Sequence, residues 1–535
     1  MRYCPNDRCP HHLRAEPVAA EVTACPFCLT DLVDAPQAAP GASAGDASGA
    51  WVRPAAVTLG ASLAAGALGR VAVADLVPSL RWSDGLDQVT LGALGVGPIA
   101  SAFLLVEVAS VLTAKGRAGR ETPDGRARMT RHAWIVSALL AVVQTASMVL
   151  YMRSLRPSWQ HDGPYVDSSW VAIVIGTSAL LGFSFSVALA RAIDRVGLGS
   201  GVAILAGVGL VHDLVRPHVV TFGAEVTPLH SAAVLLLAGG VCAATATVLR
   251  RRYTVVRTDT APRRAGYRVA AMTTRADVLS MRAPLSGMIP IVLAVAAVNQ
   301  LVTATGFDPL PSATRNPSGR VLALGALACA IAVPLARWFN SPRRIAATAG
   351  AFGDTRGAAE READARLVWR AGLRATLAYT VGLVAAAVCV VWMGAAVEVT
   401  SFAFLTALAL DLREELRLRR AGGPLVALRV EARVATADAA CARLALAGVP
   451  AAVRNGHLRA LTHWFAPHLP MTVLVPEASA AQARDVLAAA TRPERRGEPV
   501  HLRTAVVEDE GPGSAMSLVG VLQRTTLRVR VSAPR

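Results

Sequence analysis

The chain has 535 residues, 53% of them hydrophobic, and a formal net charge of +17, with a mean hydropathy of +0.43 and a pI of about 10.7. Apolar runs recur between residues 54 and 412, most of them uncharged over the roughly 15–20 residues that a helix needs to cross hydrocarbon, which excludes an ordinary soluble domain. The runs are continuous rather than alternating, which excludes a membrane β-barrel, and the basic residues lie between them, so the charge reads as membrane topology and no specific nucleic-acid partner is expected.

In chain order, the first unit is a Cys-rich module at 1–34. Cys4-x4-Cys9 and Cys25-Pro-Phe-Cys28 are two knuckles, each able to offer two thiolates to one ion. Four thiolates complete the tetrahedral shell of a structural Zn²⁺, and in so small a module the metal supplies the folding energy. His11 or His12 stands as an alternative to Cys9. A disulfide reading does not suit a reducing compartment. A catalytic zinc needs an open position beside an acid or base, and no such arrangement is visible. Cys242, Cys329, Cys389 and Cys441 are scattered and read as small packing residues. Residues 35–50 form a Pro/Ala/Gly/Ser linker. The first 50 residues lack an apolar core segment, so no cleavable signal peptide is expected.

The spans then fall at 54–72, 91–113, 133–153, 168–190, 201–222, 230–249, 284–304, 319–338, 371–393 and 396–412, with His212, Asp213, Arg216 and His218 interrupting the fifth. The expected fold class is therefore an all-α polytopic membrane protein of about ten helices, with small domains at both ends. Loop charge orients it. The loop at 113–132 has six basic and two acidic residues, net +4, and that at 250–283 has nine against two, net +7. The loops at 70–90 and 153–167 carry −1 and 0. The positive-inside rule then puts both termini in the cytoplasm of a bacterial inner membrane. Within the spans, Gly95, Gly97 and Pro98 interrupt one segment in the first half and Gly287 and Pro290 one in the second. Paired broken segments point to an inverted repeat with its pathway at the midplane, although Gly and Pro are also common in ordinary membrane helices.

Beyond the membrane domain at 51–420, residues 421–492 read as a small α+β unit. Strands are expected at 425–434, 450–454 and 471–475, and helices at 436–447 and 478–490, with Gly448 closing the first helix and Asn455-Gly456 making a turn. The tail at 493–535 offers further strands at 499–507 and 516–531. No catalytic constellation is visible in this part, and His457, His463 and His468 are not at tight ligand spacing. The whole chain shows no nucleophile with a base and no intramembrane His/Glu metal set, so an enzyme is not expected.

Six segments, in order, carry a resemblance: LGALGVGPIASAFLLVEVASVL (91–112), ARAIDRVGLGSGVAIL (190–205), RRYTV (251–255), APLSGMIPIVLA (283–294), FNSPRRIAATAGAFG (339–353) and TSFAFLTALALDLREEL (400–416). Together they resemble the SecY family of protein translocase channels, as a diverged paralogue. The resemblance implies two inverted halves around an hourglass pore, pinched by an apolar ring at Val96, Ala100, Val202, Ala206, Val292 and Phe404, with residues 76–90 at the plug position. It implies a lateral gate at Ser101, Gln144 and Gln300. Glu107 lies further along the second span, either as part of that gate or as a carboxylate at the helix end. It also implies cytosolic docking loops bearing Arg251, Arg252, Arg343, Arg344 and Arg356. The implied partners are an unfolded or nascent polypeptide, a SecA motor or a ribosome, small SecE- and SecG-like membrane subunits, and the bilayer. Residues 425–490 resemble a small bacterial domain assigned to signal transduction. Two functions follow: a polypeptide-conducting channel, or a non-conducting scaffold of the same fold that binds partners through its terminal domains.

Overall fold

The computed structural model describes residues 2–3, 33–34, 49, 51–71, 90–113, 116, 119, 123–154, 169–215, 228–259, 277–282, 285–291, 293–295, 298, 310, 317–351, 358–392, 399–431, 433–462, 469–491 and 502–509. The membrane part contains α1 (Val52–Leu68), α2 (Gly97–Leu112), α3 (Pro123–Ser154), α4 (Ser169–Val196), α5 (Gly201–Val215) and α6 (Pro228–Arg250). It continues with α7 (Pro317–Phe339), α8 (Pro342–Ala351), α9 (Ala358–Trp392) and α10 (Val399–Gly422). Helix also begins at Ile289, within the seventh expected span. Four stretches among the described residues are long and apolar enough to cross a membrane: Gly125–Leu150, Ala172–Val196, Ser318–Ala347 and Ala358–Val391. Large apolar side chains of the membrane part point outward as well as inward. Leu139, Leu181, Leu235 and Leu236 are 62–78% exposed. In water that surface is unfavourable; against lipid tails it costs nothing.

Several helices run past the apolar segment that announces them. The third begins at Pro123 rather than 133, the ninth at Ala358 rather than 371, and the tenth continues to Gly422 rather than 412. Hydropathy marks only the stretch that needs lipid. Beyond it the helices continue on charged pairs one turn apart, Glu362 with Arg366 at 2.9 Å and Glu415 with Arg419 at 3.0 Å. The described part of the fifth helix stops at Val215.

The two broken spans share one backbone device. Gly95 and Gly287 both lie in the left-handed region, at φ 45° and 59°. Each is followed three residues later by a proline, Pro98 and Pro290, in the first turn of the helix it opens. Glycine accepts that φ without a Cβ penalty, and proline fits the first turn because its missing N–H would have no helical partner there. The two starts lie at opposite ends of the membrane domain. The segment before α2 bonds back to the far end of α1, Gly92 N–H to Leu68 O at 3.0 Å and Leu91 N–H to Val71 O at 3.0 Å. The Met288 N–H instead donates to Leu461 O, in the C-terminal module, at 2.9 Å. That module packs at the other end of α1, where Arg420 in the last turn of α10 lies 4.7 Å over the ring of Trp51.

The C-terminal module is a three-stranded antiparallel sheet, ordered β5 (Leu425–Glu431), β7 (Met471–Pro476), β6 (Ala452–Arg454), with α11 (Val434–Leu446), α12 (Gly456–Leu461) and α13 (Ala480–Thr491). α12 occupies the stretch after Asn455, which sequence reads as a turn alone; Asn455 is left-handed, at φ 62°, and opens the helix. A second antiparallel sheet joins β3 (Arg252–Asp259), β4 (Asp277–Arg282) and β8 (Leu502–Asp509) in the order β4-β3-β8. Arg252 pairs in register with Arg282 on one side and Asp509 on the other. At the amino end β1 (Arg2–Tyr3) pairs with β2 (Val33–Asp34), which closes the ends of the Cys-rich segment on each other. One apolar core runs without a break from the membrane helices into the module, from Ala190, Ile204 and Leu408 to Leu444, Leu458 and Val473.

Candidate functional site

Two features bear on function: the apolar positions expected to form the ring, and a polar clamp between the last membrane helix and the C-terminal module. Of the ring positions, Val96 precedes the first residue of α2, Val202 is in the first turn of α5, and Phe404 is in the second turn of α10. All three are half-buried and pack against the same core, and Val96 and Val202 also touch the cluster of Ile99, Phe103, Ala141 and Phe183. Ala100 and Ala206, one turn further along their helices, are half-buried. Val292 lies outside the described residues. Val96 and Val202 thus meet on one small cluster where α2 and α5 start, while Phe404 packs on the larger core from α10, the helix that lies against α5.

Of the residues expected at a gate, Ser101 on α2 and Gln144 on α3 are half-buried, and Gln300 lies outside the described residues. Glu107 is 2% exposed, a position inside the bundle. Its carbonyl accepts from Ser110 Oγ at 2.7 Å. An edge-on contact of Phe103 with Trp134 at 5.6 Å, and Arg191 over Trp134 at 5.1 Å, tie α2, α3 and α4 together.

The polar clamp escapes a sequence reading. Its two acids, Asp411 and Glu415, stand one turn apart at the end of the last apolar stretch and are 4% and 2% exposed. Asp411 Oδ1 accepts from the His457 N–H at 2.9 Å and lies 2.9 Å from His457 Nδ1; its Oδ2 accepts from the Leu458 N–H at 3.0 Å. The carboxylate thereby satisfies first-turn donors of α12 that have no partner within that helix. Glu415 accepts from Arg454 Nη2 at 2.6 Å, Arg419 Nη2 at 3.0 Å and the Gly199 N–H at 3.2 Å. Across the module, Arg282 of β4 donates through Nε to Asp438 of α11 at 2.7 Å, both side chains 1% exposed. Burial works against the charge of Arg282, but Asp438, Glu414 and Asp411 outweigh it and its pKa is raised. The one visible signal is the Asp411/Glu415 spacing on an apolar helix; what the two acids bind lies far away in sequence.

The clamp and the module around it touch four junctions of the membrane domain among the described residues. Arg126, at the start of α3, donates to Val430 O at 3.4 Å. The turn between α4 and α5 is held through Gly199, the β3–β4 hairpin through Arg282, and α8 packs against α11. These junctions follow α2, α4, α6 and α7, and all four lie against the module. The basic residues expected to dock partners lie at these junctions. Arg251 follows α6 directly, and Arg252 opens β3. Arg343 and Arg344 are exposed on α8, Arg343 lying 3.7 Å from Glu362. Arg356 lies outside the described residues, as do Cys4, Cys9, Cys25 and Cys28. Among the described residues no group of His, Cys, Asp and Glu is placed to hold a metal.

The SecY family model matches residues 90–403, more than half of the chain. Among solved structures, the chain is similar to a SecY channel whose plug domain stabilises the closed state (14% identity, 70% of this chain and 93% of that one, TM-score 0.44). It is similar to a structure described as a protein conducting channel (14%, 70% and 94%, 0.44) and to Sec61 in the canine ribosome-channel complex from the endoplasmic reticulum (13%, 70% and 94%, 0.43). Among curated proteins no match is found.

Proposed function

The chain belongs to the SecY family of multi-pass membrane proteins, and from that premise we propose that it conducts polypeptides across or into the bilayer. The observation that carries the reading is that Val96 and Val202 share one apolar cluster where α2 and α5 start, with Phe404 on the core beside α5. Such a ring seals against ions by staying dry, and it parts around a chain because no hydrogen bond holds it shut. The opposed G-x-x-P starts at Gly95 and Gly287 support an inverted repeat of ten spans around that ring.

In this reading the face bearing the clamp is cytoplasmic, since the loops at 113–132 and 250–283 carry the positive charge and both lie on it. Both termini are then cytoplasmic, the membrane is a bacterial inner membrane, and Arg251, Arg252, Arg343, Arg344 and Arg356 would face a motor or ribosome, with small membrane subunits alongside. Cys4, Cys9, Cys25 and Cys28 would hold one structural Zn²⁺. Four thiolates suit that ion, and the β1–β2 pair that closes the segment suits a metal-folded module. Purified chain should contain one zinc per molecule, lost in a Cys25→Ala, Cys28→Ala variant; retention of full zinc by that variant would contradict the assignment.

Phe404→Asn tests the channel. It places hydrogen-bonding groups in a ring that excludes water by being apolar, so resting ion conductance in a planar bilayer should rise at matched amounts of folded protein. A non-conducting scaffold would show the same near-zero conductance in both proteins.

A further inference from the structure

We infer that the C-terminal module is a built-in cap: docked as it is here, it closes the loop-bearing face of the membrane domain, and it must undock before a polypeptide can reach the ring. This rests on the channel reading for its consequence, but the capping contact itself is independent of conduction.

The module does not hang from the last span as a tethered domain would. α12 lies between the tenth span and the start of the seventh, taking Asp411 at its first turn and giving Leu461 O to the Met288 N–H at its last. Contact at Gly287 is so close that a Cβ there would collide with Leu461 O. α12 is buried along its whole length. Arg454 takes Glu415, which also holds the Gly199 N–H in the turn between α4 and α5. Asp438 takes Arg282. The module therefore binds elements of both halves of the membrane domain together.

These grips sit directly under the ring. Val202 is about one turn beyond Gly199, and Phe404 is about two turns before Asp411. Any chain entering between the halves from this face passes the elements that α12 bridges. β8, from the tail beyond the module, adds a third strand to the β3–β4 hairpin and covers the edge of β3 that a partner strand would otherwise use.

The chemistry of the contact suits release. Beside the apolar core that continues into the module, its polar crossing points are charged: Asp411, Glu415, Arg454, Arg282 and Asp438. Arg282 uses only Nε; its two terminal amino groups, and Asp438 Oδ2, make no hydrogen bond among the described residues. A buried ion pair that is only partly satisfied adds little net stability, and separation returns every one of these groups to water. The pair instead fixes where the module sits, since leaving either charge buried alone is strongly unfavourable.

The test uses two full-length variants that remove the same anchor from opposite sides, Asp438→Asn in the module and Arg282→Gln in the hairpin. The second leaves the module's sequence intact, so a shared effect cannot come from a misfolded module. Two readouts are taken in vesicles. Hydrogen exchange of the His457 and Leu458 amides, both bonded to Asp411, reports docking. Access to the ring is read by adding Phe404→Cys to each chain and applying a bulky membrane-impermeant maleimide from the module side. Mass spectrometry of the peptide spanning position 404 then counts the label at that position alone. Both variants should raise amide exchange and ring labelling together, by about tenfold or more. Faster exchange with unchanged labelling would overturn the cap, because the module would have left without opening a path. Full labelling in the chain that carries Phe404→Cys alone would overturn it too, as would unchanged exchange in both variants, since the anchor would then not hold the module. If labelling rises but neither ions nor polypeptide pass, the cap stands and the channel reading fails.

Discussion

Gly95–Pro98 and Gly287–Pro290 open helices at opposite ends of the membrane domain with the same left-handed glycine and the same first-turn proline. Their surroundings differ. A Cβ added at Gly95 would meet only Gly92 O, at 3.4 Å, an atom of its own segment. At Gly287 it would strike the backbone of Leu461 and Ala460, in a module that begins more than a hundred residues later. One start is constrained by its own turn and the other is also held from outside. A repeated backbone device can thus acquire a second role in one copy only, through what packs on it.

Substitutions at the two starts should therefore differ in cost. The largest effect is expected where the outside grip is made. Asp411→Ala leaves buried donors at His457 and Leu458 without their acceptor and should cost about 4 kcal/mol, since each orphaned buried donor costs roughly 1–3 kcal/mol. It should appear as a lowered thermal midpoint of the detergent-solubilised protein, with fast exchange confined to α12. Gly287→Ala should follow at about 3 kcal/mol, combining the left-handed strain with a backbone collision. Gly95→Ala carries the strain with a tolerable contact and should cost about 1 kcal/mol. Equal costs at the two glycines would break the comparison, because the module would then add nothing at Gly287.

Much of this was legible in the sequence, for a physical reason that also sets the limit. Continuous apolar runs announce helices because a lipid-crossing backbone must satisfy itself, and helix falls within every segment so marked. The strands and helices of the module are likewise local: alternating or periodic side chains, with Gly448 accepting the end of α11, where its N–H donates to Ala445 O at 3.0 Å. α12 was not legible. Its six residues are too few to be stable on their own, and the carboxylate that caps them belongs to a helix about 45 residues earlier. The β3–β8 pairing joins strands about 250 residues apart and has no local signature at all. The same holds for the clamp. Arg282, Asp438 and Arg454 look like ordinary surface charges until the fold buries the first two against each other and brings the third to Glu415. The ring positions show the opposite case: Val96, Val202 and Phe404 were named through family motifs, and nothing in their apolar character distinguishes them from their neighbours.

Whether a polypeptide passes through the ring is tested most directly by site-specific photocrosslinking from the ring itself. A photoreactive residue replaces Val96 or Phe404, and in a parallel chain Leu236, which is 78% exposed on the outer surface. Each is made in the otherwise unaltered chain and in the Asp438→Asn chain, and each is presented with a stalled nascent polypeptide. Crosslinks to the polypeptide are expected from positions 96 and 404, stronger in the Asp438→Asn chain, and none from position 236. Crosslinks absent from both ring positions in both backgrounds, or no more frequent there than at position 236, would contradict passage through the ring.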